Sequence, residues 1–235
     1  MTLTRGGKDH KHKHNHKHNH KHNHKKTQKI KKDKDKVFKK LSCSPKKSNE
    51  IQKFTCYTSE SLSKLKKFWN ARHPDNKILT NNSEEIWSHL KQNMANVCDT
   101  EACWLRQKFI DNNLDADLRT YTFAPKSPLA WSKNKNEWLS STDIEKVMKQ
   151  YEHTYPHFAF IGPSPLDFDK KKLYNACVWE ELCNFDLKNY LKKNKTKIGI
   201  IFNMDPHYKG GSHWMCMMVD ISKQIVYYFD SNGDK

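Results

Sequence analysis

Two residues near the end of the chain are spaced for chemistry. They are His213, in "GGSHWMCMMVD", and Asp230, in "IVYYFDSNG". Two apolar, β-rich runs flank the four residues "ISKQ", the pattern of a β-hairpin. If Ser222 and Lys223 sit at the centre of the turn, Met215 lies opposite Asp230 and His213 lies opposite Asn232. Side chains alternate along a strand, so all four residues share one face, and His213 and Asp230 are diagonal neighbours. A carboxylate on one ring N–H of a histidine fixes the tautomer and steadies the imidazolium, leaving the other nitrogen to take a proton from a nucleophile. The same two residues are equally the makings of an ordinary surface ion pair.

No nucleophile inside the chain fits that base. Cys216 is three residues from His213 on the same strand, so parity sends it to the opposite face, about 10 Å away. Ser212 is adjacent to His213 and also points away. Cys177 and Cys183, in "NACVWEELCNFD", have nothing local to place them at His213.

The elements that must position the pair are legible as helices first and strands later, the order of an α+β domain. Leu62, Leu65 and Trp69 suggest a helix. A second is expected from Ser83, as N-cap, to Val97, with Ile86, Leu90 and Met94 completing an apolar stripe. "CDTEACWLRQKFID" reads as a third helix capped at Asp99 or Thr100. "TDIEKVMKQYEHTY" carries a capping box of Thr142 with Glu145, followed by Ile144, Val147, Met148 and Tyr151. "FAFIGPSPLDF" reads as a short strand and turn, "NFDLKNYLKKN" as a helix capped by Asn184 or Asp186, and "KIGIIFNMD" as a buried strand from Ile198 to Asn203.

Charge is concentrated at the start. The chain has 235 residues and a formal net charge of +17. Residues 1–40 hold 15 basic and three acidic residues, or +12 of that total. Histidine occupies alternate positions from His10 to His24, with lysine and asparagine between. Nothing apolar there can offset the entropy of ordering, so residues 1–50 are expected to be a disordered Lys/His-rich tail and linker. Such a tail is a solvated appendage, a salt-sensitive nucleic-acid contact through residues 8–40, or an adventitious site for Zn, Ni or Cu. The expected division continues with a helical region over 51–130 and a second region over 131–235. No apolar run approaches the roughly 18 residues of a membrane span, and no signal-peptide h-region is present. Seven cysteines without an export signal are expected to be reduced thiols. Cys98 and Cys103 read as buried thiols rather than zinc ligands, and no metal or other cofactor is expected.

These motifs, taken in order, resemble the adenain-like cysteine proteases, a superfamily joining adenovirus protease, the SUMO-specific proteases and the polyprotein proteases of large DNA viruses. "GGSHWMCMMVD" and "IVYYFDSNG" resemble its His-Trp and Phe-Asp-Ser strands. "NEWLSSTDIEKVMKQYE" resembles its Trp-Leu-x-x-x-x-Ile element at a helix start, and "GIIFNMDPH" the strand before the histidine. "CDTEACWL" is similar to the N-terminal helical part of the giant-virus and African swine fever virus enzymes. The resemblance covers about residues 80–235.

It implies a papain-type fold and a Cys–His–Asp mechanism, with His213 as base, Asp230 orienting it, and Trp138, Leu139 and Trp214 beside a substrate cleft. Parity leaves a core role for Trp214 open. It further implies a viral polyprotein substrate cut after small residues, Gly-Gly above all, in a virion or the host cytoplasm. In the family, a Gln and the nucleophilic Cys-Gly lie some tens of residues beyond the Phe-Asp-Ser strand. This chain ends five residues after Asp230. The expectation is therefore a sheet incomplete at its C-terminal end, a nucleophile outside the chain, and no peptidase activity from the chain alone. Two other readings stand beside it: an inactive pseudo-protease that binds a glycine-rich tail, and a nucleic-acid-binding protein acting through its basic tail.

Overall fold

The computed structural model describes residues 42–110 and 116–233. The basic tail and the acidic stretch 111–115 lie outside them, and with them every expectation about residues 1–41. Residues 42–50, expected as linker, pack into the fold. Ser44 is buried, and the backbone of Cys43 bridges to that of Phe123.

Two apolar clusters organise the chain. The first is helical. Helix α1 (Ser59–Arg72) is capped by Thr58 and buries Leu62, Leu65 and Trp69. Helix α2 (Ser83–Met94) buries Ile86, Leu90 and Met94, the stripe expected from its periodicity. Its cap is Asn82, whose side chain accepts hydrogen bonds from the backbone of Glu84 and Glu85, one residue before the expected Ser83. The helix ends before Val97, which is exposed.

The expected third helix shrinks to the single turn α3 (Glu101–Trp104). Its carboxylate Glu101 is buried, accepting from the Trp87 indole and the Cys56 backbone, while Tyr57 donates its hydroxyl to the Glu101 carbonyl. Burial pushes the Glu101 carboxyl up, against those hydrogen bonds. Leu105, Phe109 and Ile110 then fill the cluster as turns rather than as helix. Helix α4 (Ala116–Tyr121) adds Leu118.

The cysteines depart most from expectation. Six of the seven form disulfides: Cys43–Cys56, Cys98–Cys103 and Cys177–Cys183. Folding brings each pair to Cα separations of 5.1, 5.5 and 6.3 Å, inside the range a disulfide spans. Cys216 is the free thiol.

The second cluster lies on a mixed sheet. Helix α5 (Ser141–Thr154) has a capping box, formed by Ser140 and Asp143 rather than by Thr142 and Glu145. Two overlapping boxes are written into "SSTDIE", and the extended backbone at Ser140 selects the earlier one. Strand β1 (Phe158–Pro165) runs parallel to β2 (Lys197–Asn203), which is antiparallel to β3 (Trp214–Asp220), itself antiparallel to β4 (Ile225–Asp230). Between β1 and β2 lie two short helices, α6 (Glu180–Cys183) and α7 (Leu187–Lys192), the latter capped by Asp186. Ala159, Ile161, Leu182, Ile198 and Ile200 form the buried centre of this half. The whole is a mixed α/β fold in strand order β1-β2-β3-β4, with β4 at an edge.

Candidate functional site

The hairpin takes the register that aligns the pair. Met215 lies opposite Asp230, and Asp220 opposite Ile225, leaving residues 221–224 as the turn. His213 sits one residue before β3, and its carbonyl accepts from Met204 N–H at 3.0 Å, which continues the ladder to it. His213 Nε2 lies 2.5 Å from Asp230 Oδ1. The two side chains are only 11% and 18% exposed, so water competes poorly for the contact.

Asp230 acts as acceptor for more than the imidazole. The Asn232 N–H donates to Asp230 Oδ1 at 2.9 Å, and the Tyr228 hydroxyl approaches Oδ2 at 3.4 Å. The hydrogen bond from His213, backed by that of Asn232, holds the Asp230 carboxyl below the usual carboxylate range. Burial, and then the Asp230 charge, push the Tyr228 hydroxyl up. An ionised Asp230 accepts only, so Nε2 carries the proton and Nδ1 presents its lone pair. The Asn232 amide nitrogen stands 3.3 Å from Nδ1. Such an arrangement can serve as a general base with a fixed tautomer.

Two devices hold the loop that delivers His213. Gly211 has φ of +91°, and a Cβ there would fall 2.4 Å from Asn203 Nδ2. Glycine is therefore required where the chain turns into β3. His207 donates its backbone N–H to Asp167 Oδ1, and its Nδ1 meets Oδ2, each at 2.8 Å. Burial pushes the Asp167 carboxyl up, but the hydrogen bonds from His207 outweigh it and hold it low. Forty residues separate this pair, so no sequence pattern exposes it. Tyr228 was also missed, although its place two residues before Asp230 on the same face is a usable signal.

The other expected site residues gather on one side. The Trp214 indole donates to the Leu139 carbonyl at 3.1 Å, tying the start of β3 to the loop that leads into α5. Trp138 and Leu139 are exposed beside that contact. No cysteine reaches His213 among the described residues. Cys216 pairs with Phe229 in the ladder and so faces away from His213, while Cys177 and Cys183 are bonded to each other. No cluster of metal-ligating side chains occurs among the described residues. None of the described helices is long and apolar enough to cross a membrane.

Comparison with known proteins gives two matches. Residues 109–235, more than half of the chain, match the family described as the vaccinia virus I7 processing peptidase. A protein of Acanthamoeba polyphaga mimivirus, named as a thiol protease, is 28% identical over 210 residues, covering 81% of this chain. The chain spans 66% of that relative's length. No solved structure matches.

Proposed function

The chain belongs to the vaccinia virus I7 processing peptidase family, a family of viral cysteine proteases, and from that premise we propose that His213 and Asp230 are the base and the orienting carboxylate of peptide-bond hydrolysis by a cysteine thiolate. The 2.5 Å contact between them carries this reading.

The chemistry follows from the tautomer. Nδ1 takes the thiol proton, and the thiolate adds to the scissile carbonyl. The C–N bond then breaks as the imidazolium returns its proton to the leaving amine. Water, deprotonated by the same nitrogen, hydrolyses the thioester and frees the sulfur. Asp230 stays ionised throughout and holds the ring in place. Trp138, Leu139 and Trp214 form one wall of the substrate cleft. The substrate is a viral polyprotein or structural protein with small residues, Gly-Gly in the simplest case, before the cut bond.

The nucleophile in this proposal comes from outside the 235 residues. The described cysteines supply no thiol at Nδ1. The hairpin supports an added element, because Tyr227 and Phe229 on one face of β4 are 49% and 65% exposed, and Val226 and Tyr228 on the other face are exposed as well. Apolar strand surface of that extent is normally covered. The same lack of a thiol favours a second reading, a non-catalytic module that binds a glycine-rich tail without cutting it.

The experiment uses a fluorogenic Gly-Gly peptide. Residues 1–235 alone are expected to leave it intact, and a chimera carrying the remaining segment of the mimivirus relative to cleave it, with loss in His213→Ala. Cleavage by residues 1–235 that is blocked by a thiol reagent and lost in His213→Ala overturns the external nucleophile. Tight peptide binding without cleavage by the chimera favours the module.

A further inference from the structure

A second concave surface lies in the helical half, lined by none of the His213 site residues. A groove of about 800 Å³ opens between α3, the segment from Arg119 to Ser127, and one face of α5. Its floor is apolar, with Leu105, Phe123 and Pro125 turned towards it. Its rim is cationic, with Arg106, Arg119, Lys126, Lys146 and Lys149 against the single acid Glu145. Lys149 is engaged by Glu152 at 3.0 Å, and Lys146 faces Asp143. Arg106, Arg119 and Lys126 are exposed, and none of them stands in an ion pair among the described residues.

The walls are pre-built. Gln150 is 3% exposed, and its amide nitrogen donates to the carbonyls of Thr120 and Phe123 at 2.8 and 2.9 Å. Ala124 N–H donates to Ser42 at 2.9 Å and Ser44 N–H to Thr122 at 3.3 Å, which braces the outer wall. An apolar trough under cations, three of which have no described ion-pair partner, presents complementarity to one chemistry, an apolar segment carrying carboxylates. Phosphate chains would use the cations but gain nothing from the floor. The chain's own basic segment, residues 1–40, carries a charge of +12 and so does not complement a cationic rim.

We propose that this groove is a docking site for an acidic, apolar peptide segment, carried by the protein on which the His213 site acts. The second half of that statement rests on the peptidase reading; the binding does not. The placement suits presentation. Helix α5 starts beside the Leu139–Trp214 contact, and from Ser141 to Lys149 it rises about 12 Å, which an extended peptide covers in about four residues. One molecule can dock in the groove and reach the cleft.

The test measures fluorescence anisotropy of a labelled ten-residue peptide alternating Glu with Leu and Phe, using the full chain. Three variants are compared: Arg106→Glu/Arg119→Glu, the milder Arg106→Ala/Arg119→Ala, and Lys25→Glu/Lys26→Glu as a charge-matched tail control. The glutamate variant is expected to bind at least tenfold more weakly and the alanine variant several-fold. The tail control should change less than twofold. Replacing Leu and Phe by Ser in the peptide should cost at least tenfold. His213→Ala should bind as the natural chain does, so a failure here leaves the catalytic assignment standing. Equal weakening in the groove and tail variants, indifference to the apolar residues, or displacement of the peptide by an oligothymidylate at lower concentration overturns the proposal. The last of these outcomes would make the groove a nucleic-acid contact.

Discussion

The tautomer of His213 is decided by one oxygen. Asp230 Oδ1 accepts hydrogen bonds from His213 Nε2–H and from Asn232 N–H, so the carboxylate is fixed from two sides before it orients the ring. Nitrogen chemical shifts of His213 are expected to show Nε2–H as the dominant neutral tautomer, and Asp230→Ala to mix the two forms. The pH dependence has a definite sign. The folded Asp230 carboxyl lies below its ordinary value of about 3.9. The pair's contribution to stability is therefore complete above that ordinary value and lost as pH falls through the lower folded one. The gap between the urea midpoints of the natural chain and Asp230→Ala should shrink as pH falls from about 5 into stronger acid. A difference that instead grows towards low pH would refute the assignment of Asp230 as the depressed acid.

Each element near the site has one residue that fixes its start. Gly211 lets the chain enter β3, and Gly211→Ala combines a left-handed backbone with a collision at Asn203. A loss of about 1–3 kcal/mol in stability is expected from a chemical-denaturation curve, together with weakened exchange protection at Met204, whose N–H is held by the His213 carbonyl. Ser140 does the same for α5. Ser140→Ala should cost about 1 kcal/mol and loosen the Trp214–Leu139 contact, read as an upfield shift of the indole N–H signal of Trp214. What was legible in the sequence is the part governed by such local rules. The hairpin register followed from two apolar runs and a four-residue turn, and it placed His213, Asp230 and Asn232 together. The caps of α2 and α5 were misplaced by one and two residues, because "NNSEE" and "SSTDIE" each contain rival caps and only the path of the preceding chain chooses between them. The His207–Asp167 clamp and the groove walls pinned by Gln150 were illegible, since they join residues 27 to 40 positions apart that no periodicity relates. The cysteines misled for a different reason. Compartment was argued from the lack of an export signal, but pairing depends on which Cα atoms the fold brings within reach.

At the scale of the molecule, the helical cluster and the sheet cluster are separate cores joined through α5, which packs on β1 and reaches α4. Gln150 is the polar part of that junction. The disulfides are distributed unevenly across it: Cys43–Cys56 and Cys98–Cys103 staple the helical half, and Cys177–Cys183 closes the segment before β2. A cross-link stabilises by restricting the unfolded chain, more so for longer loops. The 13-residue separation of Cys43 and Cys56 corresponds to about 3 kcal/mol. Separations of 5 and 6 for the other two correspond to about 2 kcal/mol each. Reduction should therefore weaken the helical core most, and the two halves should lose cooperativity. The tryptophans report it independently, since Trp69, Trp87 and Trp104 lie in the helical half and Trp214 beside His213. With Trp214 as the only tryptophan retained in one variant, and Trp69 in another, dithiothreitol should lower the urea midpoint read at Trp69 well below that read at Trp214. Cys43→Ser/Cys56→Ser without reductant should reproduce most of that gap. Coincident transitions under reduction would mean that the α5 junction, rather than the disulfides, sets the stability of the helical half.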